Sequence, residues 1–494
     1  MVYLQIAEKE ENFNFFMELR NDSISCQNSK RTSPYSEEEF RGVYDTYFQN
    51  IVPPLLGKEG DDKIGYVLFP NTKSSDCVEV SINISPQFRN KKLAGLFLLK
   101  SLRFVKNNYP EIAFINATIR EENVASKRLF EGCGFQLFNQ SQKLNHYSLN
   151  LKERNLVFHK RHTYIIAEMS CNHNQDINTA YALIDAAQKT GADAIKLQTY
   201  TPDTMTLDSK NPCFTDCLKG TLWEGKSLYE LYSKAYTPWE WHQPLKEYAN
   251  KRGLDLFSSP FDTTSVDFLE TLDVPCYKIA SFEITDHILI KKVAATKKPV
   301  IISSGMATFA ELEEAVNLLK NNGCTDICML KCTSAYPARK EDANLKTMQD
   351  MADKFGIPTG LSDHTLGIEV PITSVAMGGK VIEKHFKLVD DSGSEDDAFS
   401  LTPSEFTDMV NAVRLTENIM GSIKYRNQSE LKSVQFRRSL FVVKDIKAGE
   451  QFTEENVKSI RPADGLHTRF YWDILGKSAV KDLEKGTPLT HEHY

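Results

Sequence analysis

Between residues 163 and 386 the chain alternates eight times between two hydrophobic rhythms. Short β-rich runs read as strands: TYIIAEMS (163–170), DAIKLQT (193–199), LDLFSSP (254–260), CYKIAS (276–281), PVIISSG (299–305), ICMLKCT (327–333), IPTGLSD (357–363) and VIEKHF (381–386). Between them lie runs such as NTAYALIDAAQKTG, with apolar residues near a 3.6-residue spacing and a stop at Gly191. TFAELEEAVNLLKNNG repeats the form, with Thr308 as N-cap and Gly323 as the C-terminal stop. Strands alternating with helices predict a parallel sheet. Eight such units in about 270 residues match a TIM (β/α)8 barrel.

The pattern changes on both sides of this region. LKERNLVFHKRHTY (151–164) and YRNQSELKSVQFRRS (425–439) are charged, polar passages. They divide the chain into 1–153, 154–430 and 431–494. The first segment carries VEVSINISPQFRNKKLAGLFLLKSLRFV, a strand, a short loop and an amphipathic helix, then INATIREENVASKRLFEGCGF, a strand and a capped helix. The last has short β-rich runs around turns at Lys447 to Gly449 and Lys485-Gly486. The expected class is α/β throughout, with a small β-rich tail.

Within the barrel each strand starts apolar and ends polar. The ends carry Glu168; Lys196 and Gln198; Ser258 and Ser259; Lys278 and Ser281; Ser303 and Ser304; Lys331 and Thr333; Ser362, Asp363 and His364; and Glu383, Lys384 and His385. Barrel enzymes place their chemistry at the carboxyl ends of strands. First loop residues are polar anyway, which accounts for some of these. It accounts poorly for lysines and histidines inside apolar strands, where a buried charge needs a partner. Lys196 and Lys278, with hydroxyls from Ser259, Ser281, Ser303 and Thr333, predict a cationic floor suited to phosphate or carboxylate. His364 and His385, ending adjacent strands beside Glu168, have the makings of a divalent metal site with open positions. Asp396, in GSEDDAFSL, would add a further carboxylate.

Composition narrows the classes. The 494 residues are 41% hydrophobic and 25% charged, ordinary for a globular protein. A net charge of −7 gives no general pull toward nucleic acid or an anionic membrane. The opening MVYLQIAEKEENFNFF does not read as a secretory leader, and no stretch reaches membrane-span length. The 10 cysteines lack a regular spacing and read as reduced thiols of a cytoplasmic protein. Cys324, Cys328 and Cys332 are expected as core filler.

IAEMSCNHNQD, AIKLQTYTPDTMTLD, YKIASFEI, SSGMAT, LSDHTLG and EKHF together resemble the sialic acid synthase family. Met-Ser-Cys after Glu168 and KLQTYTPDTMTLD are most similar to its pseudaminic acid synthase branch. The resemblance implies condensation of phosphoenolpyruvate with 2,4-diacetamido-2,4,6-trideoxy-L-altrose and water, releasing phosphate. It implies that His364 and His385 bind manganese, or magnesium or cobalt in its place. It places Glu168 and Asp396 around the sugar and the attacking water. Lys196, Lys278, Ser281 and Ser303 would hold phosphoenolpyruvate, and Ser259, Thr333, Ser362, Gln198 and Asn172 would line the same pocket. Many members read Pro-Asp-His where this chain reads Glu395-Asp396-Asp397.

The tail resembles the antifreeze-like (SAF) domain of the same family. That implies a homodimer in which the tail reaches the partner's barrel and Arg461 touches the substrate's acyl group. The first segment resembles a GNAT acetyltransferase, in which loop amides at a helix N-terminus cradle the pyrophosphate of acetyl-CoA. The cofactor residues implied are Arg89, Lys91, Lys92, Ala94, Asn123 and Ser126, with Tyr147 as a trial general acid. Lys92 stands where that family's loop has glycine. One chain would then carry two steps, acetylation of an amino sugar and the synthase reaction. Rival readings are a sialic or legionaminic acid synthase with a degenerate or regulatory GNAT domain, a Schiff-base aldolase using Lys278, and a ligand-binding barrel with a coenzyme A sensing module.

Overall fold

The computed structural model describes all residues except 1, 30, 142, 153–161, 222–223 and 391. The predicted passage at 151–164 falls largely outside the described residues. The described chain forms two compact units, Met1–Met420 and Gly421–Tyr494.

The first unit contains a closed barrel of eight parallel strands: Tyr164–Glu168, Ala194–Thr199, Asp255–Pro260, Tyr277–Ile279, Val300–Ser303, Ile327–Cys332, Thr359–Asp363 and Val381–His385. Each pairs with the next, and the eighth closes on the first through His385 opposite Glu168. Successive side chains of a strand point to opposite faces. On the eighth strand this puts Glu383 and His385 on one side and Ile382 and Lys384 on the other. Ile382 packs into the apolar layer formed with Ala180, Leu183, Ile184 and Phe406 of the surrounding helices.

Ahead of the barrel lie two four-stranded sheets. One joins Tyr3–Ile6, Leu55–Glu59, Asp62–Leu68 and Ser81–Ile84; the other joins Cys77–Glu79, Phe114–Arg120, Leu144–Asn150 and Gln136–Ser141. Cys77–Glu79 runs parallel to Phe114–Asn116, whereas Ser81–Ile84 turns away to pair with Gly65–Leu68. The chain therefore splays two sheets apart at Val80. Helix Leu93–Asn108 buries residues 96 to 105 against this domain and the barrel. No helix among the described residues is long and apolar enough to cross a membrane.

The second unit pairs Ser439–Val442 with Val457–Ile460 antiparallel. Leu440, Val442, Ile446, Phe452, Val457, Ile474 and Leu489 form its core. Arg461 follows the second strand and is exposed.

Candidate active site

Lys196 and Lys278 project into the mouth of the barrel, 3% and 2% exposed. Two charges so deep need compensation, and Glu383 supplies it for both. Its Oε1 lies 3.9 Å from Lys196 Nζ and 3.6 Å from Lys278 Nζ, and accepts a hydrogen bond from Ser362 at 3.2 Å. Glu168 adds a tighter contact, 2.6 Å from Lys196 Nζ. Lys196 also donates to Ser259 at 3.1 Å. Burial would lower the Lys196 ammonium, but Glu168 and Glu383 outweigh it and hold it above the ordinary value. Lys278 has less support, and burial wins there, lowering its pKa. Burial also lifts the Glu168 carboxyl above the usual carboxylate range, against the pull of Lys196 and with help from Glu383.

Ser303, at the end of the fifth strand, has a buried hydroxyl with no hydrogen-bond partner among the described residues, and Glu383 Oε2 is likewise unpartnered there. Unpaired buried polar atoms beside two lysines mark a place prepared for a ligand. Next to them, Ser281 Oγ accepts the Gly305 amide at 3.2 Å. A Cβ on Gly305 would meet Ser334 Oγ at 2.1 Å and Ser281 Oγ at 2.6 Å, so only glycine lets the backbone approach these hydroxyls.

His364 and His385 extend from adjacent strands with ring centroids 5.3 Å apart. His364 Nδ1 meets the Thr333 carbonyl at 3.1 Å, which leaves the other ring nitrogen its lone pair. His385 Nδ1 is buried without a hydrogen-bond partner, 3.5 Å from Asp396 Oδ2. Burial, with His364 beside it, holds His385 well below its ordinary pKa and so neutral. No cluster of three or more His, Cys, Asp or Glu arranged for an ion occurs among the described residues. Despite burial, Cys332 and the Thr333 carbonyl hold His364 above its ordinary pKa; with its proton displaced, the pair fits one divalent ion bound by two imidazoles, with the remaining positions left to substrate and water. Behind the pair, Lys384 Nζ contacts Asp363 Oδ2 at 2.6 Å and donates to the Thr365 carbonyl, which ties together the ends of the two histidine strands.

The loop after strand eight is held over the mouth by several contacts. Asn172 Nδ2 donates to the Phe386 carbonyl and to Ser400 Oγ, both at 2.9 Å, while its oxygen accepts from Ser394. Asp396 accepts from Ser170, and Gln198 donates to both Ser170 at 3.0 Å and Glu168 at 3.1 Å. Gln198 thus links Glu168 to Asp396 through one hydroxyl.

Several expectations need correcting. Thr333 contributes its carbonyl to His364, whereas its hydroxyl donates away, to the Asp342 carbonyl at 3.0 Å. Asn172 uses its amide on the loop rather than leaving it open to a substrate. Cys332 is not mere core filler. Its sulfur lies 3.8 Å from His364 Nδ1; burial would raise the thiol, but His364 brings it down to about 7. Tyr147 is buried and donates to Glu131 at 3.0 Å; burial, with that carboxylate, raises it to about 12.

Two residues were missed. Glu383 was legible as a strand-end acid, and its two-residue offset from His385 places it in the mouth. Glu283, just past Ser281, has a carboxyl that burial lifts to about 7 despite Lys278 nearby. Only its placement reveals it.

In the first domain, Asn90 and Lys92 adopt left-handed backbone conformations at φ 63° and 61° at the entrance to helix Leu93–Asn108. The glycine position of the expected loop is thus a left-handed turn that this chain forms with lysine. Lys91 and Lys92 are exposed, and Ala94 lies half-buried in the first turn. Arg89 does not face the loop: it reaches Asp22 at 2.6 Å and the Ile84 carbonyl at 3.0 Å. Asn123 caps helix Val124–Gly132 by accepting the Ser126 amide at 3.0 Å.

Barrel, mouth and flanking domains together define a sugar-acid synthase architecture fused to an acetyltransferase fold. Residues 183–425 match the NeuB family, 437–494 the SAF domain and 7–136 the acetyltransferase (GNAT) domain. Pseudaminic acid synthase of Helicobacter pylori is 49% identical over 328 residues, 66% of this chain and 96% of that protein. N,N'-diacetyllegionaminic acid synthase of Campylobacter jejuni is 39% identical over 332 residues, 65% of this chain and 97% of that one. The crystal structure of an N-acetylneuraminic acid synthetase from Leptospira borgpetersenii, in complex with citrate, superposes with a TM-score of 0.50 at 29% identity. It covers 61% of this chain and 95% of that one. The chain belongs to the NeuB family, with a SAF domain at its end and a GNAT domain at its start.

Proposed function

We propose that the barrel joins phosphoenolpyruvate to 2,4-diacetamido-2,4,6-trideoxy-L-altrose and adds water, giving pseudaminic acid and phosphate. The observation that carries this is the mouth: two buried lysines sharing Glu383, the unpartnered hydroxyl of Ser303 at another strand end, and two histidines on adjacent strands. Lys196, Lys278, Ser281 and Ser303 receive the phosphate and carboxylate, with the Gly305 amide close by. His364 and His385 hold a divalent ion, manganese in our reading. When bound, it supplies a Lewis acid that polarises the sugar aldehyde. The methylene carbon of phosphoenolpyruvate then forms the carbon–carbon bond to the aldehyde carbon, whose oxygen takes the Glu168 proton and becomes a hydroxyl. Glu168, raised by burial, accepts a proton from the water that adds at the former enol carbon, and collapse of that adduct releases phosphate. Asp396 and Gln198 keep Glu168 and the sugar in register.

The acceptor assignment rests on 49% identity to a pseudaminic acid synthase against 39% to a legionaminic one. For the first domain we propose acetyl transfer from acetyl-CoA to an amino sugar, with the exposed left-handed turn at Lys92 as the pyrophosphate site. The protein is cytoplasmic in this reading, and a homodimer in which Arg461 meets the acyl group of the partner's substrate.

Phosphate release is measured with phosphoenolpyruvate and each of three acceptors: the altrose derivative and the sialic and legionaminic acid precursors. The altrose sugar is expected to turn over fastest, and a chelator to stop it. Faster turnover of either other sugar would overturn the acceptor assignment.

A further inference from the structure

The charges on helix Leu93–Asn108 face the barrel. Lys100 Nζ donates to the carbonyls of Ala192 at 2.7 Å and Gly191 at 3.4 Å, and lies 3.3 Å from Asp193 Oδ1. Arg103 reaches the same oxygen at 2.8 Å. From the barrel side, Asp193 Oδ2 takes Arg414 at 2.9 Å and the Ile165 amide at 3.0 Å. These side chains are deeply buried, Asp193 to 1% exposure and Lys100 and Arg103 to 3% and 4%. Around them, Asn107 donates to Asp255 Oδ1 at 2.5 Å, Tyr164 donates to Asp255 Oδ2 at 2.7 Å, and the Arg103 guanidinium sits 4.9 Å from the centre of the Tyr164 ring. Asn108 donates to the Asn250 carbonyl at 3.0 Å, and Gln188 of the barrel donates to the Leu4 carbonyl at 2.7 Å.

Apart from Arg414, which comes from helix Pro403–Met420, the barrel side chains of the central cluster sit where strands begin. Tyr164 opens the first strand, Asp193 precedes the second and Asp255 opens the third. The contact therefore covers the end of the barrel opposite the mouth. A buried carboxylate that loses its cations is left uncompensated. Without the first domain, Asp193 would keep only one of its three cations, and Lys100 and Arg103 would lose theirs.

We propose that the first domain is a permanent base of the barrel. Its helix Leu93–Asn108 neutralises Asp193, so the synthase half depends on the acetyltransferase half for stability, whatever that half transfers. Two measurements test this in the full chain. In one, a specific protease site is inserted within residues 153–161 and cut. The halves are expected to co-elute from gel filtration even at about 1 M salt, where surface pairs are screened. Separation, with the synthase fragment keeping its activity and its heat-inactivation temperature, would overturn the proposal. In the other, Arg103→Met is expected to lower the temperature at which synthase activity is lost, although the residue is at the opposite end from the mouth. Adding Lys100→Met and Asp193→Asn should recover part of that shift, because the buried carboxylate and both cations of the helix are then gone and Arg414 keeps Glu417 at 2.9 Å. An unchanged inactivation temperature in Arg103→Met would equally overturn the proposal. If that variant does not fold, the cleavage experiment decides.

Discussion

The barrel buries a cluster of charges at each end, and the two are finished differently. At the base, both oxygens of Asp193 meet two donors each, from Lys100, Arg103, Arg414 and the Ile165 amide. At the mouth, Lys196 and Lys278 share Glu383, while Ser303 Oγ, Glu383 Oε2 and His385 Nδ1 have no partner. The Asp193 carboxylate has little left to offer a ligand, although Arg414 Nε beside it is unpartnered, and the cluster serves to join domains. An unsaturated one carries a free-energy cost that a bound ligand relieves. Burial and charge alone do not separate the two; the count of unmet hydrogen bonds does.

The largest expected break in this contrast is at the metal pair. His364→Ala, or a chelator on the wild-type chain, should lower synthase turnover by about a thousandfold or more, since a Lewis acid is worth several kcal/mol of barrier. Acetyl transfer should be unaffected. Assaying both activities on one preparation checks this, and full synthase activity in the variant would exclude His364 as a required metal ligand.

Next is Glu383→Gln, which leaves two buried ammonium groups facing each other. The empty protein should lose about 3–5 kcal/mol of stability. Phosphoenolpyruvate should then stabilise the variant more than it does the wild type, because the ligand replaces the missing negative charge. Thermal unfolding with and without phosphoenolpyruvate reads both effects.

Ser303→Ala sharpens the contrast from the other direction. Its hydroxyl has no hydrogen-bond partner among the described residues, so stability should change little. Affinity for phosphoenolpyruvate should fall by about 1.5–3 kcal/mol, the worth of a hydrogen bond to a charged group. A stability loss without an affinity loss would mean that the serine is structural.

The smallest effect near neutrality is that of acid on the base. Despite burial, its three cations hold Asp193 far below the ordinary carboxylate value. Its contribution is therefore complete above about pH 4, the unfolded value, and is lost progressively as the pH falls further. Wild-type unfolding followed from pH 6 to 3 should show this decline, and Asp193→Asn, already weakened, should show a shallower one.

Much of the barrel was legible because its signal is local. Apolar runs such as PVIISSG and ICMLKCT, each followed by a capped helical run, leave little freedom in what they form. The polar strand ends were legible for the same reason: Lys196 or His385 in an apolar strand conflicts with burial unless something meets it. Other roles could not be read. Thr333 and Asn172 are polar residues near strand ends like Ser303, yet their side chains are consumed by the protein's own carbonyls and loops. Lys100 and Arg103 looked like the polar face of an amphipathic helix, and that face turned out to be buried against another domain.

The sequence by itself determined the succession of strands and helices, the inward set of chemical side chains and the family, because these depend on residue type and short spacing. Only the tertiary structure decided which buried charges were satisfied. Asp193 meets Lys100 and Arg103 from about ninety residues away, and Glu383 joins two lysines from separate strands. Hydrogen bonding is short-ranged and directional, so whether a polar atom is paired depends on where the whole chain places its neighbours.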